Sequence, residues 1–334
     1  MIRLDQRPDP HASRVARVRN GAGVPDASRR AAGSRPVKRA VHHAQCASRR
    51  WAGAAAVAIA LAVSAARAAP VAIVAVESVY GDIARRIGGD NVAVASVLVS
   101  ADKDPHEFEA SAETARLLAR AKLVIYNGAG YDPWVVRLLS ASPSNSRDII
   151  EVSGVARRKA GDNPHLWYDT AAISALARTL AAKLGEIDPA HRPEYAGGLE
   201  AFDTSMAPLR KKIAAMRGRY AGTPVTATEP VFEYMADALG LVMRNSRFQL
   251  AVMNGTEPGA STIAAFERDL RNRSVKALLY NTQTEEALAV RMRSIADEAG
   301  IPVVAITETL PPDETYAQWM LSQLDALDRA LARR

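Results

Sequence analysis

Cysteine occurs once in the 334 residues, as Cys46, so no disulfide can staple the chain to itself. A chain of this length with 48% hydrophobic residues buries a core large enough to need none. Aromatic residues make up only 5%, and beyond residue 68 no run of Lys and Arg is interleaved with them, which sets aside a nucleic-acid interface. The apolar stretch Trp51–Ala66 is too short for a membrane span and is soon followed by Arg67 and Pro70. No His-Glu-x-x-His pair, serine or cysteine nucleophile motif, phosphate-cradling glycine loop or short repeat is evident, and Gly128-Ala129-Gly130 reads as a turn. Histidine is scarce as well: of six, only His106, His165 and His191 lie beyond residue 68.

The net charge of +7 points towards anionic partners until it is divided along the chain. Thirteen of the 43 Lys and Arg but only three of the 36 Asp and Glu fall in residues 1–68, so the body carries about −3. The basic part has the form of an export leader. Arg49-Arg50 precede the Ala/Val-rich run, and Ala66-Arg67-Ala68 fits the small-x-small rule for cleavage before Ala69. Sec export fits better than the twin-arginine route, whose motif is poorly matched, and a retained N-terminal anchor is the alternative. Residues 1–47 are a long preface, either unordered or the product of a start site placed too early. Lipid anchoring needs a cysteine just after the apolar run, whereas Cys46 precedes it, so the expected product is a soluble exported protein.

Beyond the leader, short apolar runs alternate with helical spacing. Strands are expected at Val71–Val76, Val92–Val99, Leu123–Tyr126, Ile149–Val152, Val225–Thr228, Ala277–Tyr280 and Val303–Ile306. Helices are expected at Val79–Ile87, after Ser111, at Trp134–Leu139, Asp169–Leu184, Val231–Leu239, Ile263–Asn272, Glu285–Ala299 and Asp313–Leu331. Asp188-Pro189 reads as the cap of a further helical stretch reaching Tyr220, bent or broken at Gly197-Gly198 or Pro208. This rhythm predicts an α/β protein of two similar lobes, each with a mostly parallel sheet flanked by helices. The expected division is a leader over 1–68, a lobe over 69–188, a connecting helix over 189–220 and a second lobe over 221–334. The cleft between lobes is the default ligand site.

Four positions answer to one another across that cleft. His106 lies in Asp104-Pro105-His106-Glu107-Phe108-Glu109 and His165 in Asn163-Pro164-His165-Leu166-Trp167, each stiffened by the preceding proline. Glu229 and Glu308 each follow the carboxyl end of an expected strand. Two imidazoles and two carboxylates suit a divalent transition ion. Each residue alone reads more readily as a solvated loop side chain or cap than as a ligand, and Glu107, Glu109, Asp169 and Glu257 compete for the carboxylate role. His191, at a helix start, reads as exposed and unremarkable.

The two histidine motifs, together with Thr228-Glu229-Pro230-Val231-Phe232-Glu233-Tyr234, resemble successive signatures of the zinc- and manganese-binding substrate proteins of bacterial ABC transporters, over about Val71 to Leu331. The resemblance implies two α/β lobes, a long connecting helix that limits hinge motion, and a metal held in the interlobe cleft by His106, His165, Glu229 and Glu308. It further implies a periplasmic, monomeric, non-enzymatic protein that hands its ion to a membrane permease. Two departures bear on the ion. Zinc members generally carry histidine where this chain has Glu229, and many carry a His-rich charged loop that is absent here; the family also usually has aspartate at the position of Glu308. The carboxylate share favours Mn²⁺ or Fe²⁺, with Zn²⁺ the close alternative because it binds more tightly at any given site. Two rivals stay open: a metal-dependent hydrolase using the same cluster, which needs an open coordination position and a base, and a metal-independent binder of a small solute.

Overall fold

A computed structural model describes residues 69–100, 105–284 and 286–333. The leader with its cleavage point, Cys46, Asp104 of the first histidine turn and Glu285 lie outside the described residues. No helix among the described residues is long and apolar enough to cross a membrane.

The first lobe opens with β1 (Val71–Glu77), α1 (Ser78–Gly88), β2 (Val92–Leu98), α2 (Ala112–Arg120), β3 (Leu123–Tyr126), α3 (Pro133–Ala141), β4 (Asp148–Glu151) and the single turn α4 (Val152–Val155). Its sheet runs β2-β1-β3-β4 with every pair parallel, the register set by Val71 on Val92, Ile73 on Leu123 and Leu123 on Asp148. The central strands β1 and β3 are almost continuously apolar and buried because helices cover both faces. Ser111 caps α2 through a reciprocal box with Thr114.

Helix α5 (Thr170–Ile187) follows, its first N–H groups taken by the Asp169 carboxylate. Then come α6 (Arg192–Ser205) and α7 (Ala207–Tyr220), which together form a long bent connection. The break falls at Met206, beside Pro208, which lacks the N–H a continuous helix would need. Gly197-Gly198 stays helical. A Cβ at Gly198 would meet the carbonyl oxygen of Ile87 at 2.2 Å, so this glycine admits close approach of α6 to α1 rather than a bend. Asp188 stands at the N-cap of a short 3-10 turn, Pro189–His191, that precedes α6, and the His191 N–H donates to its carbonyl at 3.3 Å. Its carboxylate accepts from the Tyr195 hydroxyl at 2.8 Å and pairs with His191 Nδ1 at 2.6 Å, so His191 is half-buried and engaged rather than exposed.

The second lobe comprises β5 (Pro224–Ala227), α8 (Glu233–Leu239), β6 (Val242–Arg244), α9 (Ser246–Met253), α10 (Ala260–Arg271), β7 (Leu278–Asn281), α11 (Ala287–Glu298), β8 (Val303–Ile306) and α12 (Tyr316–Leu331). Its parallel order, β6-β5-β7-β8, repeats the first sheet. Strand β6 and helix α9 escape the sequence reading because β6 is a three-residue edge strand with Val242 and Arg244 exposed, leaving no alternation to detect.

One buried cluster runs from β1 through α5 and α6 into β5, α8 and α12, so the lobes share a core. Side chains reinforce it. The Tyr316 hydroxyl donates to the Trp167 carbonyl at 2.8 Å, and Tyr168 directs its hydroxyl at the Thr307 carbonyl and Gln323 Oε1, each at 2.7 Å. Leu310 N donates to Ser78 Oγ at 3.1 Å.

Candidate metal centre

The carboxyl ends of five strands converge on the cleft. Past β2 the chain reaches a short 3-10 turn, Pro105–Glu107, carrying His106; past β3 it forms the Asn127–Asp132 loop with Tyr131; past β5 it delivers Glu229; β7 ends on Asn281; and past β8 lies Glu308. His165 arrives on the proline-stiffened loop before α5. The structure brings His106, His165 and Glu308 together: one ligand atom from each lies within 4.8 Å of the other two. Glu308 Oε2 stands 3.3 Å from His165 Nε2 and 3.6 Å from His106 Nε2. A tetrahedral ion with bonds of about 2.0–2.1 Å sets its donors about 3.3 Å apart, so this spacing fits a first-row divalent ion without large rearrangement.

Members of the trio are held from behind. His165 is fully buried, and its backbone N–H and Nδ1 both meet Asn163 Oδ1, at 3.0 and 2.7 Å. An amide oxygen can only accept, so Nδ1 carries a proton and Nε2 is the atom turned to the cluster. Asn163 in turn donates to the Pro230 carbonyl and Glu233 Oε2, tying the loop to the second lobe. Glu308 Oε2 accepts from the Tyr131 hydroxyl at 2.9 Å, and Gln283 Oε1 accepts from the Glu308 backbone N–H. Burial alone raises the Glu308 carboxyl, but the imidazoles of His165 and His106 outweigh it and hold it at about 2. The Glu308 carboxylate is therefore ionised at neutral pH.

Glu229 stands beside this trio rather than within it. It is buried, and its Oε2 accepts from Asn281 Nδ2 at 2.5 Å. Of the competing carboxylates, Asp169 is occupied as the cap of α5, while Glu107, Glu109 and Glu257 are exposed. Tyr131, Asn163, Asn281 and Gln283 were not singled out in the sequence. Asn163, two residues before a histidine behind proline, and Asn281, at a strand's carboxyl end, carried the only available signals. A cleft of about 1620 Å³, lined by His106, Tyr131, Pro164 and Glu229 among others, opens beside the trio.

A buried acid pair lies behind the ligand loops. Glu77 ends β1, and Asp132 accepts from the N–H groups of Asn127 and Gly128 at 2.8 and 2.9 Å. Asn127 Nδ2 donates at 2.8 Å to the carbonyl of Pro164, next to His165. Burial, then the neighbouring Asp132 charge, pushes Glu77 well above the usual carboxylate range; Asp132 is raised less, since burial is countered by Glu77 and the loop N–H groups. Glu77 is thus the member of the pair that holds its proton more tightly. The unfolded chain releases that proton in the ordinary carboxyl range, so rising pH works against the folded state by up to about 1.4 kcal/mol per unit until Glu77 ionises. Glu77→Gln keeps a donor in place and removes this term. Urea unfolding of the metal-free proteins across mildly acidic to neutral pH is expected to show the variant gaining on the wild type as pH rises; parallel curves would refute the protonated pair.

The sequence model of the family described as "Zinc-uptake complex component A periplasmic" matches residues 73–330. The chain is 25% identical over 248 residues to the metal ABC transporter substrate-binding lipoprotein SloC of Streptococcus mutans, covering 70% of this chain and 79% of that one. It is 24% identical over 285 residues to the manganese ABC transporter substrate-binding lipoprotein PsaA of Streptococcus pneumoniae, covering 78% and 89%. Among solved structures, the periplasmic zinc-binding protein TroA from Treponema pallidum superposes with a TM-score of 0.66 at 18% identity, over 79% of this chain and all of TroA, and shares its fold. With more than three quarters of its length matched, the chain belongs to the family of the periplasmic component A of zinc-uptake complexes.

Proposed function

We propose that this protein captures a divalent transition ion outside the cytoplasm and delivers it to the permease of an ABC transporter. The observation that carries the reading is the convergence of His106, His165 and Glu308 on one point of the cleft. Glu229 completes the set as a fourth ligand from the second lobe. The ion is cargo: it is bound and released, with no bond made or broken in a substrate. The protein acts as a soluble periplasmic monomer after cleavage near Ala68.

Zinc, manganese and iron are all compatible with two imidazoles and two carboxylates. The 3.3 and 3.6 Å donor separations accord with a compact site that accepts zinc, while the carboxylate share accords with manganese or iron. The names of the relatives support both ions, since zinc appears in some and manganese in others. The hydrolase reading has no further support, because the family is an uptake component.

The test is calorimetric titration of metal-stripped protein with Mn²⁺ and Zn²⁺ at neutral and mildly acidic pH. Both ions are expected to bind, and binding to weaken on acidification because the ligating imidazole nitrogens must be proton-free. At 100 times its Kd either ion is expected to stabilise the fold by about 2.7 kcal/mol. Absence of binding by both ions would leave the metal-independent solute binder as the better reading.

A further inference from the structure

The Asn281 side chain touches both carboxylates. It is 2% exposed at the carboxyl end of β7, and its Nδ2 donates to Glu229 Oε2 at 2.5 Å and to Glu308 Oε1 at 2.8 Å. Its orientation is fixed by its other contacts: Oδ1 accepts from Gln283 N at 3.1 Å, and its own backbone N–H donates to Thr228 Oγ1 at 3.1 Å. A reversed amide would set its oxygen against two carboxylates. The two protons of one NH₂ group are therefore both committed, one to each acid.

The consequence lies in which oxygens are left facing the cluster. Glu308 Oε1 is held by Asn281, whereas Oε2 faces His106, His165 and Tyr131. Glu229 has one oxygen held in the same way. We propose that Asn281 caps the coordination number of the bound ion, by reserving one oxygen of each carboxylate and so restricting both to a single metal bond. Two imidazole nitrogens and two single carboxylate oxygens make a four-coordinate site, the preference of zinc, whereas ions that favour six or more oxygen-rich contacts gain from bidentate carboxylates. Asn281 is thus a specificity-determining residue that biases the site towards the ion with the smaller coordination number. This rests on the metal-capture reading above.

The test compares wild type, Asn281→Ala and Asn281→Leu, the last keeping the shape while removing the donor. Each is stripped of metal, checked for folding by circular dichroism, and titrated with Mn²⁺ and Zn²⁺ against a chromogenic chelator. Loss of a supporting group alone weakens both ions, on the order of 10-fold each, and leaves their ratio unchanged. The cap predicts instead that the ratio Kd(Mn²⁺)/Kd(Zn²⁺) falls by about 10-fold in both variants, the scale on which outer-shell groups act. Electron paramagnetic resonance of bound Mn²⁺ is expected to report a changed ligand field in the same variants. A ratio within about twofold of wild type, with an unchanged spectrum, would overturn the proposal while leaving metal capture standing. Wild-type protein that binds neither ion would instead remove the reading on which it rests.

Discussion

Alanine in place of His165 is expected to remove high-affinity binding of both Mn²⁺ and Zn²⁺, by more than the roughly 10–100-fold that loss of a merely supporting group costs. Three features make this the most damaging single change to the site. His165 is fully buried, so water cannot substitute for the imidazole without opening the loop. Its Nδ1 is committed to Asn163, which leaves Nε2 aimed at the cluster. It also exerts the larger imidazole influence on Glu308, so its removal leaves a buried carboxylate less well balanced. His106, on a short turn with its side chain 22% exposed, has solvent within reach, and His106→Ala is expected to cost less. Chelator competition on folded, metal-stripped protein measures both. An affinity of His165→Ala within a few-fold of wild type would remove this residue from the ligand set.

Trp167→Ala is expected to lower stability by about 3–5 kcal/mol, the range for truncating a buried tryptophan. The indole is fully buried, and its Nε1 makes no hydrogen bond among the described residues, so its contribution is packing. It meets the His165 ring edge to face at 5.4 Å and the Tyr131 ring at 5.0 Å. Its carbonyl accepts from Tyr316 of α12, so the cavity would open where the two lobes share a core. At roughly 2–4 °C per kcal/mol for a body of this size, the midpoint should fall by about 10 °C. Because the indole also braces His165 and Tyr131, metal affinity should fall with stability, whereas Trp167→Phe should retain most of both. Thermal unfolding with and without Zn²⁺ measures the pair, and a midpoint within about 2 °C of wild type would contradict the packing role.

The contrast between these two residues shows how much the sequence carried. Helix caps were legible where the local chemistry was complete within a few residues, as at Ser111 and Asp169. Strands β1 and β3 were legible because burial on both faces leaves a short apolar run. Strand β6 was not, since an edge strand three residues long has neither length nor period. The glycine pair at 197–198 misled for a related reason: a glycine that weakens a helix in isolation also permits close approach to a partner, and only Ile87 across the interface distinguishes the two.

By itself the sequence determined the alternation of strands and helices, the two histidines stiffened by proline, and the carboxylates placed after strand ends, all of which depend on neighbours a few residues apart. Only the tertiary structure decided which of these groups meet. His106 and Glu308 are separated by some 200 residues of chain, and their approach depends on two sheets of the same order facing one another across a shared core. The placing of Glu229 beside the trio, tied through Asn281 to Glu308, was beyond any local pattern. A hydrogen bond from one amide to two distant acids has no period, no spacing and no composition, and exists only once the strands that carry the three residues lie side by side.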